Sequence, residues 1–246
     1  MSICKTQAFV LKKFDFGETS LIVRFFSKDF GKINCLFKGI RSDAKKFAST
    51  LELFSLNDVI FYKSNKNELN VASQCDLLDS FANLRFGLNK LNTATSLISL
   101  IDGLMQPHEA NIPIFSLLKE SLAALKQEQD CEKLLLIFQI KLLSLSGFEP
   151  RIDSCVICSN HIEYTQRAYF SSAKGGLLCQ KCLPAIKTSR SVYRGTVASL
   201  NFIQKNNLAE ALRLGLNNII RKEISSLLAT FFAYHLEQQP KSLAYA

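Results

Sequence analysis

The hydrophobic pattern of this chain changes period once, near residue 80. In KINCLFKGI, Ile33, Cys35 and Phe37 alternate with Asn34, Leu36 and Lys38, the period of a half-buried strand. SLIVRFF puts Leu21, Val23 and Phe25 on one face. LELFSLNDVIFYK does the same for Phe54, Leu56, Ile60 and Tyr62, and NELNVASQCD for Leu69 and Val71. Gly17, Gly31, Gly39 and the SNKN at 64–67 supply turns between them. About five strands with this spacing predict a small barrel. An OB-fold fits the length and basic character, and an SH3-like barrel fits the same pattern.

Beyond residue 80, Leu84, Leu88, Leu91, Ile98, Ile101 and Met105 recur at helical spacing, and Pro107 follows. A second helix opens at Asn111 with Pro113 in its first turn. A third, from about Cys131 to Ser146, is apolar almost all round and belongs at the centre of a helical domain. Further helices are expected at about 196–205, 208–214 and 217–237. The expected class is α+β, with a five-stranded OB-fold nucleic-acid-binding domain over 1–80. An all-α domain over 81–246 would carry a four-cysteine zinc knuckle at 155–182.

Charge is segregated along the chain. Residues 1–66 hold 12 Lys/Arg against 6 Asp/Glu, residues 67–147 hold 6 against 9, and residues 148–222 hold 11 against 4. Two basic blocks flanking an acidic middle suggest a polyanionic partner, nucleic acid being the commonest. No apolar run approaches the roughly 20 residues needed to cross a bilayer, and the N-terminus lacks the layout of a signal peptide. The expected compartment is the cytoplasm, at the nucleoid, where thiols stay reduced.

The stretch CVICSNHIEYTQRAYFSSAKGGLLCQKC holds four of the eight cysteines as two C-x-x-C pairs with 20 residues between. Each pair aims two sulfurs at one centre, and this spacing predicts one structural zinc ion on Cys155, Cys158, Cys179 and Cys182. His161 and Glu163 ahead of Cys179-x-x-Cys182 imitate a zinc-deaminase signature. However, Leu178 stands where that signature has proline, and Cys155 and Cys158 would be left over. Four sulfurs also leave no open position for water. A zinc enzyme acting on nucleic acid, a nuclease or deaminase sited in the helical half, is the alternative to a non-enzymatic protein. Cys4, Cys35, Cys75 and Cys131 lie singly and read as small hydrophobes.

AFVLKKFDFGETSLIVRFFSKDFGKINCLFKGIR, residues 8–41, resembles the start of the RecO family of bacterial recombination mediators. The matching features are Gly-Glu at 17–18, Ser-x-x-x-Gly-Lys at 27–32 and Lys38-Gly39-x-Arg41. FQIKLLSLSGFEPRIDSCVIC and YFSSAKGGLLCQKC are similar to the same family. The resemblance implies an OB-fold, a helical domain with a zinc knuckle, and a non-enzymatic role in DNA repair. It implies binding of single- and double-stranded DNA and annealing of complementary strands. It also implies action with the partner RecR to load RecA onto DNA coated by single-strand-binding protein, whose acidic C-terminal tail would dock on the helical domain.

DNA binding needs cations at phosphate spacing. Lys38 and Arg41 match the family's Lys-Gly-x-Arg and lead the candidates, followed by Arg24, Lys32, Lys45 and Lys46. Phe47 could stack on a base. Arg151, Lys174, Lys181, Arg190 and Arg194 form the second basic block, with Arg167 and Lys187. Lys133 and Lys141, flanking the central Leu-rich helix, are the candidates for the partner tail.

Overall fold

The computed structural model describes residues 2–40, 51–64, 69–162, 168–186 and 188–235. Its first five strands are β1 (Ser2–Phe16), β2 (Ser20–Ser27), β3 (Gly31–Phe37), β4 (Leu56–Lys63) and β5 (Leu69–Asp79). They close into a barrel in the order β1-β2-β3-β5-β4. Every pairing is antiparallel except β3 with β5, which run parallel over Asn34–Leu36 and Leu69–Val71. This is the connectivity of an OB-fold, and the SH3-like alternative is set aside. β1 is long because it serves two neighbours: Ser2–Phe9 pair with β4 and Ala8–Phe16 with β2.

Alternation delivers Ala8, Val10, Val23, Phe25, Ile33, Cys35, Phe37, Val59, Phe61 and Cys75 to the barrel interior. Burial pushes the Cys35 and Cys75 thiols up, Cys75 to about 12, so neither is a reactive thiol. The phase expected for β4 is corrected. Val59 and Phe61 face inward, whereas Ile60 is half-buried and Tyr62 exposed. Val59-Ile60-Phe61-Tyr62 is apolar at every position, so alternation carries no phase there. In β5 the inward residue between Leu69 and Val71 is Asn70. Its amide donates to the Asn34 carbonyl (3.2 Å), and its Oδ1 accepts from the Ser64 backbone (3.2 Å).

After a single 3₁₀ turn at Ala82–Arg85 come α1 (Leu88–Leu104) and α2 (Ile112–Leu125). Asn111 caps α2 by accepting from the Ile114 backbone at 3.0 Å, with Pro113 in the first turn as expected. The chain groups into two compact units, residues 1–127 and 128–246. Both early helices thus belong with the barrel, although the hydrophobic period changes at residue 80. The reason lies in phenylalanines that the barrel turns outward. Phe115 of α2 packs on Phe9 at 5.1 Å and on Phe26 at 6.1 Å between ring centroids, and Phe9 also meets Phe81 at 6.4 Å. All four rings are buried.

The second unit is built on α3 (Cys131–Leu145), capped by Asp130 and followed by Gly147 at φ +79°. As its all-round apolar sequence predicts, it is buried on most of its surface and packs against α4 (Arg194–Lys205), α5 (Leu208–Leu212) and α6 (Asn218–His235). The region expected to be all-α also carries three short strands, β6 (Ala168–Ser171), β7 (Gly176–Leu178) and β8 (Arg190–Val192), ordered β7-β6-β8. No helix among the described residues is long and apolar enough to cross a membrane.

Replacing Phe115 by Ala should destabilise residues 1–127 by about 3–5 kcal/mol, because it empties a ring-sized space between Phe9 and Phe26. Denaturant unfolding of the full chain measures it, and Phe115→Leu should cost markedly less.

Candidate metal centre and nucleic-acid interface

Two sharp turns carry the cysteines. In the first, the Ser159 backbone donates to the Cys155 carbonyl (2.9 Å) and Cys155 donates to the Asn160 carbonyl (2.9 Å), with Ser159 at φ +58°. In the second, Cys182 and Leu183 both donate to the Cys179 carbonyl, at 3.1 and 3.2 Å. A short backbone ladder joins them: Arg151 donates to the Gly175 carbonyl, Leu177 to that of Arg151, and Val156 to that of Leu177, each at 2.9 Å. Gly176 is required by this ladder, since a Cβ there would lie 2.2 Å from the Arg151 carbonyl oxygen.

The ladder brings all four sulfurs within 4.8 Å of one another, with Cys155 buried, Cys158 exposed and the other two between. The Cys158 and Cys179 sulfurs are 3.8 Å apart. Burial works to raise the Cys155 thiol, but backbone amides of Cys158, Cys179 and Ile157 outweigh it and hold the thiol at about 6. Cys182 is pushed the other way, up to about 12, chiefly by its hydrogen bond with Cys179. Sulfurs this close cannot ionise together without a cation between them. Such a cluster is suited to holding a metal ion. His161 is exposed and outside the cluster; Glu163 lies outside the described residues.

The candidate DNA contacts divide into several kinds. Lys38 is exposed in the turn that ends β3, and among the described residues no acid pairs with it. Arg41, Lys45, Lys46 and Phe47 lie outside the described residues, as do Arg167 and Lys187. Arg24 and Lys32 are engaged within the first unit. The Arg24 guanidinium donates to both carboxylate oxygens of Asp102 (3.1 and 3.2 Å), and the Lys32 ammonium donates to the Asp102 carbonyl (2.6 Å). Asp102 gives no local signal in sequence, lying 78 residues from Arg24.

Both tail candidates are engaged as well. The Lys141 ammonium donates to the carbonyls of Ile203 (2.8 Å) and Asn206 at the end of α4. That is where a cation offsets the helix dipole and satisfies orphan carbonyls. Lys133 is largely buried and lies 3.9 Å from Glu128.

A family model described as Recombination protein O N terminal matches residues 1–81, and one described as Recombination protein O C terminal matches residues 85–244. The chain belongs to the RecO family. The DNA repair protein RecO of Syntrophus aciditrophicus is 30% identical over 241 residues, 97% of this chain and 93% of the relative. That of Desulfatibacillum aliphaticivorans is 32% identical over 244 residues, 98% and 95%. That of Alkaliphilus metalliredigens is 29% identical over 237 residues, 96% and 95%. RecO is a DNA-binding recombination mediator and is not known as an enzyme. The alternative of a nucleic-acid-acting zinc enzyme is therefore set aside.

Gly176→Ala should separate the two cysteine turns. The expected outcome is loss of about 2 kcal/mol or more from the second unit, read by thermal unfolding, with a weaker capacity to hold added metal read by elemental analysis.

Proposed function

We propose that the chain is a DNA-binding recombination mediator that anneals complementary strands. With RecR, it would help load RecA onto DNA coated by single-strand-binding protein. The observation that carries this reading is an OB barrel with the exposed Lys38 at the end of β3, within a chain matched along its length by the RecO family. OB-folds hold oligonucleotides over strands 2 and 3 and adjoining loops. Lys38 and Arg41 are proposed as the leading phosphate contacts, with Lys45 and Lys46 beside them. Contacts to phosphate do not read sequence, which suits a factor that must act on any damaged stretch. Single- and double-stranded DNA are both proposed as ligands. Dependence on repair DNA suggests the cytoplasm, at the nucleoid.

The single-strand-binding protein's tail is proposed to dock on the helical region. Lys141 would have to leave the end of α4, and Lys133 its acid partner, to serve as direct contacts, so their better-supported role is structural.

The metal is proposed to be one structural zinc ion. A Zn–S bond of about 2.3 Å puts tetrahedral sulfurs about 3.8 Å apart, which agrees with the separation of Cys158 and Cys179. Four sulfurs complete the shell, so the ion would brace the knuckle and leave no position for a reacting water.

Binding of DNA should weaken by orders of magnitude between about 50 and 200 mM salt. Lys38→Glu/Arg41→Glu should lower affinity at least about tenfold and flatten the salt slope. Fluorescence anisotropy with single- and double-stranded oligonucleotides measures both, and affinity indifferent to salt would sink the electrostatic reading. Elemental analysis of freshly purified protein should give one zinc per chain, and Cys155→Ser should give well under half of that.

A further inference from the structure

The outer surface of β1, β2 and β3 carries an arrangement that the proposed phosphate contacts do not use. A bulge between Val10 and Lys12 brings Lys12 directly across from Arg24. Like charges directly opposite on neighbouring strands repel. The group that relieves them is Asp102, in the last turn of α1. Its carboxylate takes Arg24 at 3.1 Å, Lys32 at 3.7 Å and Lys12 at 3.8 Å. Three cations thus share one anion, and the cluster retains two formal positive charges.

This excess charge borders a cavity of about 150 Å³ lined by Arg24, Lys32, Asn34, Pro107 and His108. Its ionisable and amide liners are a guanidinium, an ammonium, a carboxamide and an imidazole, with no carboxylate among them. The Asn34 Oδ1 is taken by the Arg24 Nε at 3.3 Å, which leaves the Asn34 amide group as a donor. Asp102 is 15% exposed and Lys32 14%, but Lys12 is 58% exposed, so one edge of the cluster is open to an incoming chain. Burial holds the Lys32 ammonium below its ordinary range, and repulsion from Arg24 and Lys12 adds to it while Asp102 opposes. A second anion would relieve that repulsion.

We propose that Lys12, Arg24 and Lys32 form a phosphate subsite on the barrel, in which Asp102 is a resident counter-ion competing with the DNA backbone. This rests on the DNA-binding reading above. A backbone phosphate is favoured over a free one because the open edge at Lys12 lies on β1 directly across from Arg24 of β2, beside the strand 2–3 face on which OB-folds hold an extended polyanion.

The test compares wild type, Asp102→Asn and Lys12→Gln for binding of an oligothymidylate across a salt series, with folding checked by circular dichroism. Asp102→Asn should bind about tenfold tighter at low salt, with a slope of log affinity against log salt steeper by about 0.7. Lys12→Gln should bind more weakly, with the slope shallower by a similar amount. Lys12 is exposed and its loss relieves repulsion, so that variant decides the question if Asp102→Asn does not fold. Unchanged affinity and slope in the folded variants would overturn the subsite. If Lys38→Glu/Arg41→Glu still weakened binding, the DNA-binding reading would survive that result. If wild type bound no DNA, both would fall together. In a competition arm at constant ionic strength, inorganic phosphate that erased the Asp102→Asn gain would assign the subsite to a free anion and overturn the backbone assignment. A gain that persisted would support it.

Discussion

The first unit depends on three parallel residue pairs, Asn34–Leu36 with Leu69–Val71, that join β3 to β5. Without them the five strands form an open sheet with two unpaired edges, which proteins otherwise have to protect. Parallel pairing is slightly weaker per residue than antiparallel, and this contact is short. Asn70 reinforces it from a buried position, reaching back to the Asn34 carbonyl while holding the Ser64 backbone. Closure fixes the direction in which β3 leaves the barrel, and therefore where Lys38 emerges. It also fixes which residues of β2 and β3 point outward, among them Phe26, which meets Phe115 of α2, and Arg24 and Lys32, which meet Asp102 of α1.

That covering divides the basic residues into two populations. The formal charge of +9 treats all cations alike, but several are committed to structure. Arg24 and Lys32 hold the last turn of α1 through Asp102. Lys141 closes the end of α4. Arg221 donates to both carboxylate oxygens of Asp130, the cap of α3, and holds that carboxyl below its usual range. These contacts tie elements far apart in sequence; Arg24 and Lys32 do so while sharing Asp102 with Lys12, so positive charge is left over there. Lys38 is exposed with no such partner among the described residues, which gives it more weight as a phosphate contact than its charge alone would.

What was legible in the sequence follows from the range of the interaction involved. The cysteine cluster was legible because each C-x-x-C turn is local and few other chemistries need that spacing. The barrel strands and the long helices were legible from period, whereas β6, β7 and β8, at three or four residues each, are too short to show one. Their phase was not legible at Val59-Ile60-Phe61-Tyr62, where every residue is apolar. The roles of Arg24, Lys32 and Lys141 were also hidden, because their partners lie 62 to 78 residues away. The contact of α2 with the barrel was hidden for the same reason. Nothing in its own sequence shows that Phe9 and Phe26 point out of the barrel to meet Phe115.

The knuckle shows the opposite balance between local and distant forces. Its strands are three or four residues long, too short to be stable by pairing alone. Ile152, Ile162, Phe170, Leu177 and Leu178 give it a small buried core. The backbone ladder from Arg151 to Val156 positions the two turns, but four close sulfurs repel once ionised. A metal ion held there would convert that repulsion into bonds, and because the unfolded chain does not present the four ligands together, its binding energy would be folding energy. The cluster therefore acts on the stability of the second unit first. Any effect on DNA would pass through the orientation of neighbouring basic residues such as Arg151 and Lys181, which the knuckle itself carries.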